Sequence, residues 1–284
     1  MNVDAFLADC RAEWPDFDRP GALASAAHPN DRSLAPLLSA VPGMATENKL
    51  ILLNRAVAHL WPGEVYVEIG CWQGLSLAGA LFGHPGARAY ACDNFSEFGG
   101  PRAALLETIA RWTRPGQVVF DDMDFRRFVA GAPWTPARVG VYFYDGGHDF
   151  DDQFVALQAM LPHLAAEALV IVDDTNWRHV RAANELFARH VPGFQVLRDI
   201  RTGSGSSPAW WNGVQVYRWR GEPGTRLPTP SGYALRRRYW DGTWLPAMRA
   251  AWGARAALGR VPGARRAWQR LTGRRKSTAR AGAA

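Results

Sequence analysis

Apolar positions fall into two alternating rhythms along most of the chain. Short apolar runs closed by Gly, Pro or Asp predict strands at 65–70, 87–93, 117–120, 139–145 and 168–174. Each run is followed by a helical pattern, at 75–83, 101–112, 125–130, 151–164 and 178–190. Five successive βα units imply a parallel, doubly wound sheet covered on both faces. Residues 194–200 and 213–219 then follow with no helix between them, which predicts an antiparallel hairpin at the sheet edge. The loop joining them, RTGSGSSPAWWN, is too long for a tight turn and carries Trp210 and Trp211. Before the first strand, TENKLILLNRAVAHL spaces Leu50, Leu52, Leu53, Ala56, Val57 and Leu60 near the helical period, with Thr46, Glu47 and Asn48 as its N-terminal cap. Asp4 to Trp14 is a shorter amphipathic stretch, broken by Pro15 and Pro20. The expected fold is therefore α/β, with a seven-stranded, mainly parallel, doubly wound sheet ending in an antiparallel hairpin. That domain spans 44–220, after an N-terminal helical segment at 1–43 and before a C-terminal tail at 221–284.

Composition narrows the class. The 284 residues are 48% apolar and 21% charged, which excludes a wholly disordered or collagen-like chain. No apolar run approaches the ~20 residues that a membrane-spanning helix needs. The first residues carry acids where a signal peptide needs positive charge. Cys10, Cys71 and Cys92 are too scattered for a disulfide framework or a zinc knuckle, so the cytoplasm is the expected compartment.

The net charge of +7 is unevenly spread. Residues 221–284 hold fourteen Arg and Lys against two acids, so residues 1–220 are net acidic. A whole-chain argument for nucleic-acid binding therefore fails, and no nucleic-acid partner is expected. In the tail, Trp240, Trp244, Trp252 and Trp268 alternate with arginines. This pattern suits a segment that packs partly on the domain and is otherwise solvated. It also suits contact with an anionic membrane or an acidic partner. Homo-oligomerisation is left open.

In doubly wound sheets ligands sit beyond the carboxyl ends of the strands. The first strand ends in EIGCWQGLS, where Gly70 and Gly74 let the backbone turn tightly beside a ligand. Glu68, two residues before the first glycine, suits a ligand carrying an ammonium group. Cys71 reads as a small packing residue rather than a nucleophile. Asp93 closes the second strand, about 20 residues on, where an acid can accept both hydroxyls of a ribose. The third strand ends in FDDMD, and one of its acids, Asp122 among them, can meet an adenine amino group. Trp72, Trp177, Trp210 and Trp211 lie in loops expected to face the site.

The order acid-x-Gly-x-x-x-Gly, ribose acid, then an acid ending the fourth strand resembles the class I S-adenosylmethionine-dependent methyltransferases, over roughly residues 44–220. That resemblance implies a Rossmann-like sheet. EIGCWQGLS is similar to the catechol O-methyltransferase type, in which an aromatic stands at the Trp72 position and a serine at the Ser76 position holds the cofactor carboxylate. YDGGHDFDD and VIVDDT resemble the strand-four and strand-five elements of bacterial small-molecule and sugar O-methyltransferases, including relatives of macrocin O-methyltransferase. By that resemblance the cofactor meets Glu68, Gly70, Cys71, Trp72, Gly74, Ser76, Asp93, Asp122 and Asp145, and Asp145, Asp173 and Asp174 bind magnesium. Three carboxylates at adjacent strand ends repel one another unless a cation or proton joins them, and oxygen ligands suit Mg²⁺. The chain departs from the family element at Gly147, where a second Asp is usual. That moves the base role to His148 or removes it.

The expected activity is S-adenosylmethionine-dependent, magnesium-assisted O-methylation of a small hydroxylated metabolite or sugar, with His148 and Asp145 catalytic. The alternatives are a metal-independent methyltransferase and a non-catalytic cofactor-binding protein of the same fold. Locally, Asp173 and Asp174 also read as a cap for the following helix, and His148 as a strand-end histidine bonded to backbone.

Overall fold

The computed structural model describes residues 1–203 and 205–260. The chain divides into a compact unit spanning Met1–Tyr233 and a second unit beginning at Ala234. Four helices come first in chain order: α1 (Val3–Glu13), α2 (Pro20–Leu23), α3 (Ala35–Ala40) and α4 (Glu47–Ala58). Five βα units follow. They are β1 (Glu64–Ile69) with α5 (Leu75–Leu81), β2 (Ala89–Asp93) with α6 (Arg102–Trp112), β3 (Val118–Asp122) with α7 (Phe125–Gly131), β4 (Arg138–Tyr144) with α8 (Phe150–Met160), and β5 (Leu164–Asp173) with α9 (Arg178–His190). β6 (Phe194–Ile200) and β7 (Val214–Arg220) complete a sheet of order β3-β2-β1-β4-β5-β7-β6.

β1 to β5 are parallel, and β7 runs antiparallel to both β5 and β6. The hairpin expected at the edge therefore inserts its second strand inside the sheet. The apolar runs of β1, β4 and β7 explain this order, because each strand is buried along nearly its whole length, whereas β3 at the edge is half-exposed. Strand order reverses between β1 and β4, which places the ligand crevice at their carboxyl ends. β5 starts at Leu164, earlier than its apolar run suggests. Pro162 lacks an N–H and cannot extend α8, so the helix tightens at Leu161–His163 and the chain enters the sheet at once.

α4 departs from the amphipathic pattern read in its sequence. Glu47, Asn48 and Lys49 are buried along with its apolar face. Thr46 caps the helix by accepting the Lys49 N–H, and its hydroxyl donates to the Ala209 carbonyl at 2.8 Å. Asn48 donates to the Ala26 and Ala209 carbonyls and accepts the Trp14 indole N–H. The N-terminal segment and the β6–β7 loop thus close over the polar start of α4. Trp210 belongs to this layer. It is buried against Trp14, and its indole N–H donates to the Leu23 carbonyl at 2.7 Å.

In the second unit, α10 (Tyr233–Tyr239) leads through a π-helical turn at Trp240–Trp244 into α11 (Leu245–Arg260). The Trp240 and Trp244 rings meet edge to face. Leu235, Tyr239 and Trp252 are exposed. Trp268 and the rest of the tail lie outside the described residues. No helix among the described residues is long and apolar enough to cross a membrane.

Candidate active site at the strand ends

The β1–α5 turn is shaped by its glycines. Gly70 and Gly74 take positive φ values of +83° and +84°. The Asp145 N–H donates to the Ile69 carbonyl at 2.8 Å, which draws β4 tightly against the turn. Trp72, also at positive φ, donates its N–H to Asp93 Oδ2 at 2.8 Å. Phe95 donates its N–H to Asp93 Oδ1 at 2.7 Å. The Asp93 carboxylate therefore ties together the loops after β1 and β2, and each oxygen keeps a lone pair for a ligand.

Glu68 lies behind this turn, fully buried. Tyr66 donates its hydroxyl to Oε2 at 2.5 Å and Ser76 donates to Oε1 at 2.6 Å. Burial pushes its carboxyl up to about 7, against the pull of those two donors. The Ser76 proton is spent on Glu68, so the structure does not present that hydroxyl to a cofactor carboxylate. Cys71 is buried and its thiol is pushed well up by burial, as a packing residue requires. Asp122 stands off the cavity, exposed and paired with Arg102 at 3.2 Å.

The β4 end carries Asp145, Gly146, Gly147 and His148. A Cβ at Gly147 would meet the Asp152 carboxylate, which would have to shift to admit the family's second Asp. Asp152 is itself held by Arg126 at 2.5 Å. At the β5 end, Asp174 takes φ +55° and brings Oδ2 to 2.9 Å from His148 Nε2. It does not cap α9, whose N-cap residue is Trp177. Burial alone would raise the Asp174 carboxyl, but His148 holds it below its ordinary value. Burial pulls His148 down, yet the hydrogen bond and charge of Asp174 outweigh it and leave the imidazole raised. The His148 ring packs edge-on against Trp177, with centroids 4.5 Å apart. Asp145 is pushed well up by burial and by the neighbouring charges of Asp173 and Asp174.

The expected magnesium set divides here. Asp145, His148 and Asp174 place one ligand atom each within 4.8 Å of one another. Asp173 is drawn away by Lys49, whose ammonium lies 2.5 Å from both carboxylate oxygens. Asp173 Oδ1 also accepts the Asp174 N–H at 2.7 Å. Lys49 carries no exposed surface and did not figure among the sequence candidates. Its rarity was the available signal: the chain has only two lysines, Lys49 and Lys276, against thirty-one arginines.

Gly70, Trp72, Asp93, Asp145, His148 and Asp174 border a cavity of about 310 Å³. Met44, Phe98, Trp177 and Trp211 add apolar lining. Glu68, Cys71, Gly74, Ser76 and Asp122 are not on its wall, and neither is Trp210, which turns into the core.

Residues 67–175 match a family model described as a methyltransferase domain. The fold is that of the class I methyltransferases. The chain is similar to the O-methyltransferase TomG from Streptomyces achromogenes, involved in tomaymycin synthesis and solved with S-adenosylmethionine. The TM-score is 0.53 at 15% identity, over 72% of this chain and 96% of that one. It is also similar to the O-methyltransferase from Bacillus cereus solved with S-adenosylhomocysteine. There the TM-score is 0.51 at 13% identity, over 71% of this chain and 96% of that one. No curated protein matches the sequence.

The lining of this cavity fits the cofactor of that fold. Gly70 lets β1 and β4 close together at the cavity floor, and Asp93 keeps acceptor capacity on its wall. The same test fails for magnesium. With Asp173 held by Lys49, the converging set is two carboxylates and an imidazole nitrogen, whereas Mg²⁺ prefers oxygen alone.

Proposed function

We propose that the chain transfers a methyl group from S-adenosylmethionine to a hydroxyl oxygen of a small acceptor, as in the tailoring of a secondary metabolite or sugar. The observation that carries this reading is the His148–Asp174 pair, 2.9 Å apart, bordering the same cavity as Gly70 and Asp93. Bound beside Gly70 and Asp93, the cofactor supplies an electrophilic methyl carbon. Asp93 orients it by accepting its ribose hydroxyls. Asp145 positions the acceptor hydroxyl.

A neutral hydroxyl is a weak nucleophile and must lose its proton as it reacts. His148 is the base within reach. With Nε2 against Asp174, Nδ1 is the ring nitrogen left to take that proton, and the Asp174 carboxylate then stabilises the imidazolium. Holding cofactor and acceptor together supplies proximity. Trp72, Phe98, Trp177 and Trp211 offer flat apolar faces to an aromatic or sugar ring and exclude water.

The test is methyl transfer from labelled S-adenosylmethionine to a panel of phenols, catechols and sugars. Transfer should survive excess chelator and fall in His148→Ala. Calorimetry with no heat from S-adenosylmethionine or S-adenosylhomocysteine would sink the reading.

A further inference from the structure

We infer that Lys49 is the resident cation of this site, its ammonium holding Asp173 from behind so that this carboxylate is not available to a divalent ion. Three observations converge on it. The Lys49 ammonium contacts both oxygens of Asp173 at 2.5 Å, with no exposed surface on Lys49 and 3% on Asp173. Asp173 Oδ1 has a second donor, the Asp174 N–H, so neither oxygen of Asp173 is free of a proton donor. The third is the way α4 is held. Thr46 and Asn48 both anchor to the Ala209 carbonyl, which fixes the first turn of the helix and aims Lys49 at the end of β5.

The choice of lysine follows from its shape. A guanidinium presents five donors in a rigid plane and needs a matching set of acceptors. An ammonium is a compact point charge on a flexible stem, and it reaches a single carboxylate from behind. The chain has thirty-one arginines and two lysines, and among the described residues the fully buried cationic side chain is a lysine.

The consequence for the site is a chain of positioning contacts. Lys49 holds Asp173, Asp173 holds the backbone of Asp174, and Asp174 holds His148. Lys49 does not border the cavity, so it is a positioning residue that acts through the strand-five acids. The inference rests on the methyl-transfer reading for the meaning of this site, but its test reads cation binding.

Mn²⁺ paramagnetic resonance on the full chain with S-adenosylhomocysteine present decides the matter. The wild-type protein should leave the free-ion spectrum unchanged. Lys49→Met releases Asp173 beside Asp145 and Asp174, and should bind Mn²⁺ at least ~10-fold more tightly than wild type, as one added carboxylate ligand implies. Adding Asp145→Asn to that variant should remove the gain. Should Lys49→Met fail to fold, Lys49→Gln keeps a polar group in the same space and is read the same way. Wild-type binding of Mn²⁺ that disappears in Asp145→Asn overturns the inference, whatever the variants do. A folded Lys49 variant that gains no binding overturns it too. Calorimetry with S-adenosylmethionine on the same samples reports separately on the methyl-transfer reading, since loss of cofactor binding in wild type sinks that reading alone.

Discussion

A Cβ placed on Gly70 would run into the backbone carbonyl of Asp145. These residues end β1 and β4, the two strands between which strand order reverses, and their contact closes the floor of the cavity. Gly70→Ala combines that collision with a left-handed backbone, at φ +83°, which a side chain resists. The substitution should cost at least ~2 kcal/mol of stability, the usual scale of such strain. It should also abolish S-adenosylmethionine binding, because relief requires β1 and β4 to part. Urea unfolding and calorimetry on one preparation check both outcomes. Native stability with native affinity would contradict them.

Asp93 serves two loops. Its oxygens accept the N–H groups of Trp72 and Phe95, so its removal loosens the wall as well as deleting an acceptor. Asp93→Ala should weaken S-adenosylmethionine binding by ~1–3 kcal/mol. The isosteric Asp93→Asn should not rescue it, since an amide turns one acceptor into a donor facing an N–H. Titration calorimetry on both variants checks this, and near-native affinity in Asp93→Asn would contradict it.

Glu68 makes stability pH-dependent. Its carboxyl ionises near 4.5 in the unfolded chain and near 7 in the native protein, where burial disfavours the charge. Between those values the native state holds the proton and the unfolded state does not. The stabilisation is fully present below about 4.5 and is lost as pH rises through 7. The loss should approach ~3 kcal/mol from this group alone. Denaturant midpoints at pH 5 and pH 8 should fall less in Glu68→Gln than in wild type. Parallel pH profiles would assign the slope to other groups.

His148 must be neutral to accept a proton, and Asp174 raises it above the ordinary imidazole value. Turnover should therefore rise with pH through a midpoint above about 6.5. Asp174→Asn should move that midpoint down, and His148→Ala should lower turnover by ~10²–10⁴-fold while leaving cofactor binding nearly intact. A pH profile unchanged in Asp174→Asn would remove His148 from the base role.

The βα rhythm, the parallel sheet and the position of the crevice were legible in the chain, because apolar spacing reports local backbone geometry. Strands such as Glu64–Ile69 and Arg138–Tyr144 are written as continuous apolar runs since both of their faces are covered. Which residues stand at the strand ends follows from that rhythm, so Gly70, Asp93, Asp145, His148 and Asp174 could be named before their geometry. What those side chains touch was decided by the tertiary structure. Ser76 turns to Glu68, and Trp210 enters the core while its neighbour Trp211 borders the cavity. Lys49 and Asp173 are 124 positions apart, and no periodicity connects them. Their pairing exists because the N-terminal segment and the β6–β7 loop bury the polar start of α4, where a charge without a partner would be too costly to keep. Local pattern sets the backbone and its ends, whereas the partner of a buried charge depends on every segment that excludes water from it.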